Sequence, residues 1–289
     1  MASTFPAFTE RFASLAPGYQ VALCDVWGVV HNSIVSFPEA CAALRQFRSG
    51  GGTVIMITNA PRPGDEVIRF IARLGVSADA YDGIVSSGDV TRAYVASHLG
   101  QSIFRIGPER DLPLYEGLDV RFAPLESADY VVCSGLFDDE TETAEDYRDL
   151  LGTMRGRNLF MVCANPDIVV ERGDKLVYCA GAVADLYRTL GGEVLYAGKP
   201  HRPIYDQALA QATSLRGQAT PLDRVLAIGD SVRTDLAGAA ALGVDCLFVT
   251  AGIHAEDFGG REEPDPAAVG RILAAAGLMP KAIMHRLRW

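Results

Sequence analysis

The sequence predicts an α/β protein built on a doubly wound parallel sheet. Short apolar runs, rich in β-branched residues, alternate along the chain with amphipathic segments of helical period. The apolar runs are continuous, which is typical of parallel strands that are covered on both faces. Regular alternation of such strands with helices indicates a doubly wound α/β fold.

The predicted strands end in small or polar residues. They are residues 21–24 before Asp25, 53–57 before Thr58 and Asn59, 194–196 before Gly198 and Lys199, 225–228 before Gly229 and Asp230, and 246–249 before Thr250 and Gly252. Apolar residues at helical spacing predict helices over 38–48 and 66–74. Because ligands of open parallel sheets bind beyond the carboxyl ends of the strands, this polar set indicates a functional site there.

A second α/β domain is expected between about residues 100 and 190. Its candidate strands are 102–106, 130–133 and 159–162, and the acid-rich stretch 138–149 is expected to form a solvated loop and helix face. The sequence therefore predicts a second α/β domain at 100–190 that interrupts a first one made of residues 1–99 and 191–289.

The composition excludes several classes of protein. The chain has 289 residues, of which 49% are hydrophobic, and this is ample for a buried core. Its 26 basic and 36 acidic residues give a net charge of −10, which argues against a nucleic-acid or acidic-membrane partner. The six cysteines form no close pair, so buried reduced thiols are expected rather than disulfides or a metal knuckle.

The ends of the chain carry little functional signal. No apolar run approaches the roughly 20 residues that span a bilayer, and the first 20 residues lack the features of a signal peptide. A cytoplasmic protein is therefore expected. The basic tail with Lys281, Arg286 and Arg288 before Trp289 is expected to fray, or to dock on the core or on a neighbouring subunit, which leaves a homo-oligomer open.

The order of the polar clusters resembles that of the haloacid dehalogenase-like (HAD) superfamily. The resemblance rests on Asp25-Val26-Trp27-Gly28-Val29, Thr58-Asn59, Gly198-Lys199-Pro200, and Gly229-Asp230-Ser231 with Thr234-Asp235. The large insertion between the second and third motifs is similar to that of class IIA, the capped sugar- and nucleotide-phosphatase branch. The resemblance therefore implies a HAD-type core of residues 1–99 and 191–289 with an inserted α/β cap at 100–190. Residues 163–167 and 181–182 are also similar to cap sequences of that branch.

The resemblance implies a role for each catalytic candidate. Asp25 would be the nucleophile that forms an aspartyl-phosphate. The Thr58 hydroxyl and the Asn59 backbone N–H would hold the phosphate, and Lys199 would offset its charge. From the residues alone, Asp25 could instead be a turn or cap carboxylate, Thr58 or Asn59 the cap of the helix after Pro61, and Lys199 a solvated turn residue.

The resemblance also implies a Mg²⁺ site. Asp25, Asp230 and the backbone carbonyl of Trp27 would bind the ion, and Mg²⁺ prefers hard oxygen ligands of this kind. Asp235 would orient Asp230 or Lys199. Both Asp235 and Ser231 could also cap the helix predicted over 235–242.

Trp27 is the one departure from the family pattern. Phosphatases of the family carry a second Asp at this position as the general acid, and an indole N–H is not acidic enough to replace it. Three accounts of Trp27 follow. The first is a hydrolase whose leaving group needs no proton, or whose general acid lies elsewhere, with His31 or a cap residue as candidate. The second is dehalogenase-like chemistry, whose enzymes dispense with the metal, and the third is a weak or inactive protein that binds a phosphorylated ligand.

The first of these accounts is the prediction. The resemblance implies a Mg²⁺-dependent HAD-type hydrolase, a phosphatase that acts on a small phosphorylated metabolite. The leaving group is expected to decide the rate, because general acid catalysis contributes about 10²–10⁴-fold.

Overall fold

The computed structural model describes residues 8–172, 175–260 and 262–289. Its strands are β1 Val21–Asp25, β2 Thr53–Thr58, β3 Gly83–Ser86, β4 Ser102–Ile106, β5 Arg121–Phe122, β6 Tyr130–Cys133, β7 Phe160–Cys163, β8 Val169–Arg172, β9 Lys175–Tyr178, β10 Val194–Tyr196, β11 Val225–Gly229, β12 Asp245–Val249 and β13 Ala282–Met284. Its α-helices are α1 Pro38–Ser49, α2 Gly64–Arg73, α3 Ser87–Ala96, α4 Arg148–Gly156, α5 Ala180–Thr189, α6 Arg202–Arg216, α7 Ala237–Leu242 and α8 Pro266–Ala276.

The chain forms two compact units. The first comprises the chain up to Thr58, Ile68–Val85 and Tyr205–Trp289, and the second comprises Asn59–Val67 and Ser86–Ile204. The α/β class and the parallel sheets that the sequence predicts are confirmed. The division into a catalytic core and a cap at residues 100 and 190 stays a prediction.

The first unit contains a six-stranded sheet in the order β13-β12-β11-β1-β2-β3. β1 pairs in parallel with β2 and β11, and every residue of these three strands is buried. This double coverage explains why their sequences are continuous apolar runs. The register pairs Asp25 with Ile57 and Cys24 with Ile228, so the residues that follow β1, β2 and β11 meet at one edge of the sheet.

The second unit contains a five-stranded sheet in the order β10-β7-β6-β4-β5 and a separate β8–β9 hairpin. The strands predicted at 102–106 and 130–133 are confirmed as β4 and β6, and that predicted at 159–162 lies one residue later as β7. Buried side chains such as Tyr187, Leu151 and Met161 form its core. Most charged side chains of 138–149 are exposed or half-buried, as the sequence indicates, whereas that of Asp139 is buried in an ion pair with Arg110.

The strand at 194–196 differs from the expectation that it joins the first sheet. β10 pairs in parallel with β7, with Leu195 opposite Val162. An apolar run indicates that a strand is buried, but it does not identify the neighbouring strand. The sequence pattern alone therefore could not assign this strand to a sheet.

Two helices begin differently from their predictions. α2 begins at Gly64, whose N–H donates to Asp89 Oδ1 (2.9 Å), so neither Thr58 nor Asn59 is its cap. The helix predicted over 235–242 is a π-helical turn, Val232–Leu236, followed by α7. The prediction for α1 at 38–48 is confirmed to within one residue.

The remaining expectations concern the thiols and the tail. All six cysteines are buried, and none forms a disulfide. The Trp289 ring packs edge-on against Phe12 at 5.8 Å between centroids, so the chain's last residue docks on its own first unit.

Among the helices of the three described segments, none has both the length and the apolarity that a bilayer crossing needs.

Candidate active site

Three buried carboxylates lie together at one edge of the first sheet. Asp25 ends β1, Asp230 follows β11, and Asp235 lies in the π-helical turn. Each offers one oxygen within 4.8 Å of the others. The three residues are only 8%, 2% and 2% exposed. The parallel register of β1 and β11 produces this arrangement, because it brings their carboxyl ends side by side.

Glycine backbone surrounds the Asp230 carboxylate. A Cβ atom added at Gly28 or at Gly252 would overlap that carboxylate, so both positions require the absence of a side chain. The Ile253 N–H donates to Asp230 Oδ2 at 2.7 Å. Asp230 is therefore held in one place by two loops, the one after β1 and the one after β12.

Asp235 both supports the helix start and faces the acidic cluster. The Ser231 N–H donates to Asp235 Oδ2 (3.1 Å), and the Ser231 hydroxyl accepts from the Thr234 N–H (3.3 Å). This reciprocal pattern is a capping arrangement. Ser231 and Asp235 therefore cap the start of this helical turn, and Asp235 also offers an oxygen within 4.8 Å of oxygens of Asp25 and Asp230.

The cluster fits a divalent cation. Three carboxylates within 4.8 Å repel one another in a buried setting, and a cation with hard oxygen preference removes that repulsion. The glycine cradle keeps side chains away from the Asp230 oxygens. These features suit a divalent metal ion, with Asp235 beside Asp25 and Asp230. The identity of the ion as Mg²⁺ and the ligand roles of Asp25 and Asp230 stay predictions. The Trp27 carbonyl stays a predicted ligand.

The Trp27 side chain is tied to its own loop. Its indole Nε1–H donates to Ser33 Oγ at 3.0 Å. Asn32 Oδ1 accepts from the N–H groups of Ile34 and Val35, which closes the tip of the loop. Trp27 thus contributes no second carboxylate to the cluster, and its only hydrogen-bond donor already has a partner.

His31 has the character of a structural residue. It is 4% exposed, and its Nδ1 accepts from the Ser33 N–H at 2.9 Å. Burial lowers the pKa of the His31 imidazole to about 4, so the ring is neutral near pH 7 and is a poor proton donor. This argues against His31 as the general acid that replaces the missing Asp.

The other predicted catalytic residues fall in both units. Thr58 is the buried last residue of β2 in the first unit. In the second unit, Asn59 Oδ1 accepts from the Lys199 N–H (2.7 Å), and Asn59 Nδ2 donates to the Lys199 carbonyl (3.1 Å) and to Asp167 Oδ1 (2.9 Å). Lys199 is 2% exposed, so it is not a solvated turn residue.

Sequence reasoning missed one feature in each unit. The cradle contributed by Gly252 and Ile253 was visible only as a small-residue cluster after a predicted strand. Asp167, which fixes the Asn59 amide, lies in the segment 163–167 that carried part of the family resemblance. In both cases the signal was a turn of small or polar residues after a strand.

Two family models match the chain. One, described as haloacid dehalogenase-like hydrolase, matches residues 22–121, and one described as HAD-hydrolase-like matches residues 196–276. Among solved structures, a haloacid dehalogenase-like hydrolase from Brucella suis is 48% identical, covers 97% of this chain and 100% of its own, and superposes with a TM-score of 0.84.

Two further relatives are phosphatases. The D-glycerol 3-phosphate phosphatase of Mycobacterium tuberculosis is 27% identical over 245 residues, which are 83% of this chain. The chain spans 65% of the length of that curated relative. The structure of a glycerol phosphate phosphatase from Mycobacterium tuberculosis in complex with calcium is 25% identical with a TM-score of 0.62, covering 83% of this chain and 68% of its own.

Proposed function

The chain belongs to the haloacid dehalogenase-like hydrolase family, and on that premise we propose that it is a Mg²⁺-dependent phosphatase acting on a small phosphorylated metabolite. The observation that carries the proposal is the buried cluster of Asp25, Asp230 and Asp235. Solvated surface carboxylates need no such cradle, whereas a metal-dependent phosphoryl-transfer site does.

Asp25 is the proposed nucleophile. One of its carboxylate oxygens forms a bond to phosphorus while the bond to the leaving-group oxygen breaks, and the leaving group keeps the electron pair. Water then cleaves the aspartyl-phosphate and regenerates Asp25. The Val26 N–H donates to Asp25 Oδ1 (2.7 Å), which helps to fix the orientation of the carboxylate. When bound, Mg²⁺ would neutralise negative charge between this carboxylate and the phosphate.

Three residues keep the phosphate-binding roles that the family resemblance implies. They are Thr58, Asn59 and Lys199. The Asn59 side chain clamps the backbone of Lys199 from both its N–H and its carbonyl, which supports a fixed position for this lysine. A buried lysine held in this way is suited to an anionic ligand.

Trp27 determines which leaving groups are proposed. The indole cannot donate a proton, and its N–H is already bonded to Ser33. Aryl and acyl phosphates depart as stable anions, whereas a sugar or glycerol alkoxide needs a proton. We therefore propose that the substrate is an activated phosphate, unlike the glycerol phosphate named for the mycobacterial relative.

The absence of an acid at position 27 also supports a second candidate function. A chain that lacks the acid could bind a phosphorylated ligand without turning it over. The dehalogenase-like alternative has less support, because the three-carboxylate cluster is the kind of site that a metal-independent enzyme does not need. A cytoplasmic location is also proposed, since buried cysteines that form no disulfide suit a reducing compartment.

A leaving-group panel tests the proposal. Release of phosphate from acetyl phosphate, p-nitrophenyl phosphate and glycerol 3-phosphate is measured with Mg²⁺ and with EDTA. We expect Mg²⁺-dependent turnover of the first two and at least about 10²-fold less of the third. Thermal stabilisation by acetyl phosphate analogues without turnover of any ester would instead support the binding protein.

A further inference from the structure

The first unit contains a cavity of about 200 Å³ that the phosphatase chemistry does not use. Its walls come from the start of α1, the end of β12 and the chain after β13. Most of the lining is apolar, with Val29, Phe37, Val249 and Leu287 as its larger members. None of the three clustered carboxylates lines it. Since drug-sized ligands occupy about 300–1,000 Å³, this cavity suits a smaller molecule.

Two charged residues of opposite sign stand at one side of the cavity. Arg286 and Glu39 line it, and both also line an adjoining cavity of about 210 Å³, which places them at the boundary between the two. The Arg286 guanidinium lies over the Phe37 ring, 5.9 Å from its centroid, and this cation–π contact holds it at the wall. An apolar chamber therefore opens beside one cation and one anion.

We propose that this cavity binds a small zwitterion with a branched apolar side chain, of the class of the apolar α-amino acids. The ligand carboxylate pairs with Arg286 and its ammonium pairs with Glu39. Its side chain fills the space between Val29 and Val249. A simple anion would meet the Glu39 carboxylate, and a simple cation would meet Arg286, so the pair of charges selects a ligand that carries both.

The cavity shares two wall segments with the acidic site. Gly28 and Ala251 line it. Gly28 and Gly252, the residue after Ala251, are the glycines that touch the Asp230 carboxylate. A bound zwitterion thus contacts the backbone that holds Asp230 without reaching the carboxylates. Binding does not depend on the phosphatase reaction, and it can be measured with neither Mg²⁺ nor phosphate present.

Isothermal titration calorimetry of the metal-free full chain with L-leucine tests the site. We expect one ligand per chain with a Kd of about 1 mM, as suits so small a ligand. Arg286→Gln and Glu39→Gln should each weaken binding by about tenfold, the loss of one charge-assisted hydrogen bond. The matched control Arg288→Gln removes an arginine that lines only the adjoining cavity, and it should change the Kd by less than about twofold.

Two further probes and one variant complete the test. 4-Methylpentanoate lacks the ammonium and 3-methylbutylamine lacks the carboxylate, and each should bind about tenfold more weakly than L-leucine. Asp230→Asn should leave L-leucine binding unchanged even if the phosphatase proposal fails. The proposal is overturned if the folded wild type, checked by circular dichroism, shows no saturable heat with L-leucine. It is also overturned if Arg286→Gln and Glu39→Gln bind like wild type, if either single-charge probe binds as well as L-leucine, or if Asp230→Asn abolishes binding.

Discussion

The indole Nε1–H of Trp27 donates to the hydroxyl of Ser33 across a 3.0 Å hydrogen bond within one loop. Ser33 has a left-handed backbone (φ 71°), which non-glycine residues adopt infrequently. The loop therefore turns back on itself and engages the only donor of the Trp27 side chain. Trp27, two positions after Asp25, therefore stabilises the conformation of the loop and does not transfer a proton.

Replacement of Trp27 by an acid should restore activity toward poor leaving groups. Trp27→Asp is expected to raise the rate of alkyl phosphate hydrolysis by up to about 10²-fold, because a carboxylic acid can protonate the departing alkoxide. The gain is limited by the space that the ring leaves and by any displacement of Asp25. Steady-state phosphate release from glycerol 3-phosphate with Mg²⁺ measures the effect.

The matched control for this experiment is Trp27→Phe. It removes the hydrogen bond to Ser33 but supplies no acid, so alkyl phosphate hydrolysis should not rise. An equal gain in Trp27→Phe and Trp27→Asp would show that loop mobility, not the missing acid, limits the rate.

A methyl group at position 252 should disrupt the proposed metal site. The Cβ of Gly252→Ala would overlap the Asp230 side chain, and we expect Mg²⁺ affinity to fall at least about tenfold as the carboxylate is displaced. Calorimetric titration with Mg²⁺ measures the affinity. Gly18→Ala is the control, since a Cβ there meets no atom within 4 Å.

Asp230→Asn provides the reference in the same titration, since it removes a proposed ligand charge outright. Mg²⁺ binding that is equal in wild type, Gly252→Ala and Asp230→Asn would mean that the cluster is not the metal site.

The Asn59 clamp, which is the set of side-chain hydrogen bonds from Asn59 to the Lys199 backbone and to Asp167, should be lost when one side-chain atom changes. Asn59→Asp replaces the donating amide with a carboxylate oxygen, which then faces the Lys199 carbonyl and the Asp167 carboxylate. We expect the free energy of unfolding to fall by about 2–3 kcal/mol. The buried Lys199 carbonyl and the half-buried Asp167 carboxylate lose their donor, and Asp167 also meets a like charge. Denaturant unfolding measures the change.

The control for the clamp is Asn158→Asp. Asn158 is exposed, and its Oδ1 accepts from Arg155, a contact that a carboxylate can also make. Equal losses of stability in the two variants would argue that the effect is general to the second unit rather than specific to the clamp.

The thiols should be inert in the folded protein. Burial raises the pKa of the Cys133 thiol to about 12 and holds that of the Cys163 thiol well above its usual value, so little reactive thiolate forms near pH 7. All six cysteines are buried. We expect no thiol to react with Ellman's reagent before unfolding and six to react in guanidinium chloride. Rapid labelling of the native protein would contradict the burial of these residues.

The sequence predicts the fold class because continuous apolar runs alternate with amphipathic segments, and it predicts that Asp25 and Asp230 lie close together because each follows such a run. Asp25 and Asp230 each follow a continuous apolar run, and parallel strands bring such residues to one edge. The burial of these strands is therefore visible in the sequence as continuous apolar runs. The positions of α1, β4 and β6 were predictable for the same reason.

Pairings between distant segments were not predictable in this way. The run before Lys199 gave no sign that it pairs with β7, since a short apolar segment fits either sheet. The overlap between Gly252 and Asp230 depends on a loop conformation that small residues allow but do not specify. His31 was a candidate acid from its residue type alone, and only its burial excludes that role.

The rate of phosphate release from acetyl phosphate with Mg²⁺, compared between wild type and Asp25→Asn, tests the central claim most directly. An acyl phosphate needs no proton for its leaving group, so Trp27 does not limit this reaction. If Asp25 is the nucleophile, wild type turns acetyl phosphate over and Asp25→Asn is slower by at least about 10³-fold. Equal rates in the two proteins, both above the spontaneous rate, would contradict the account.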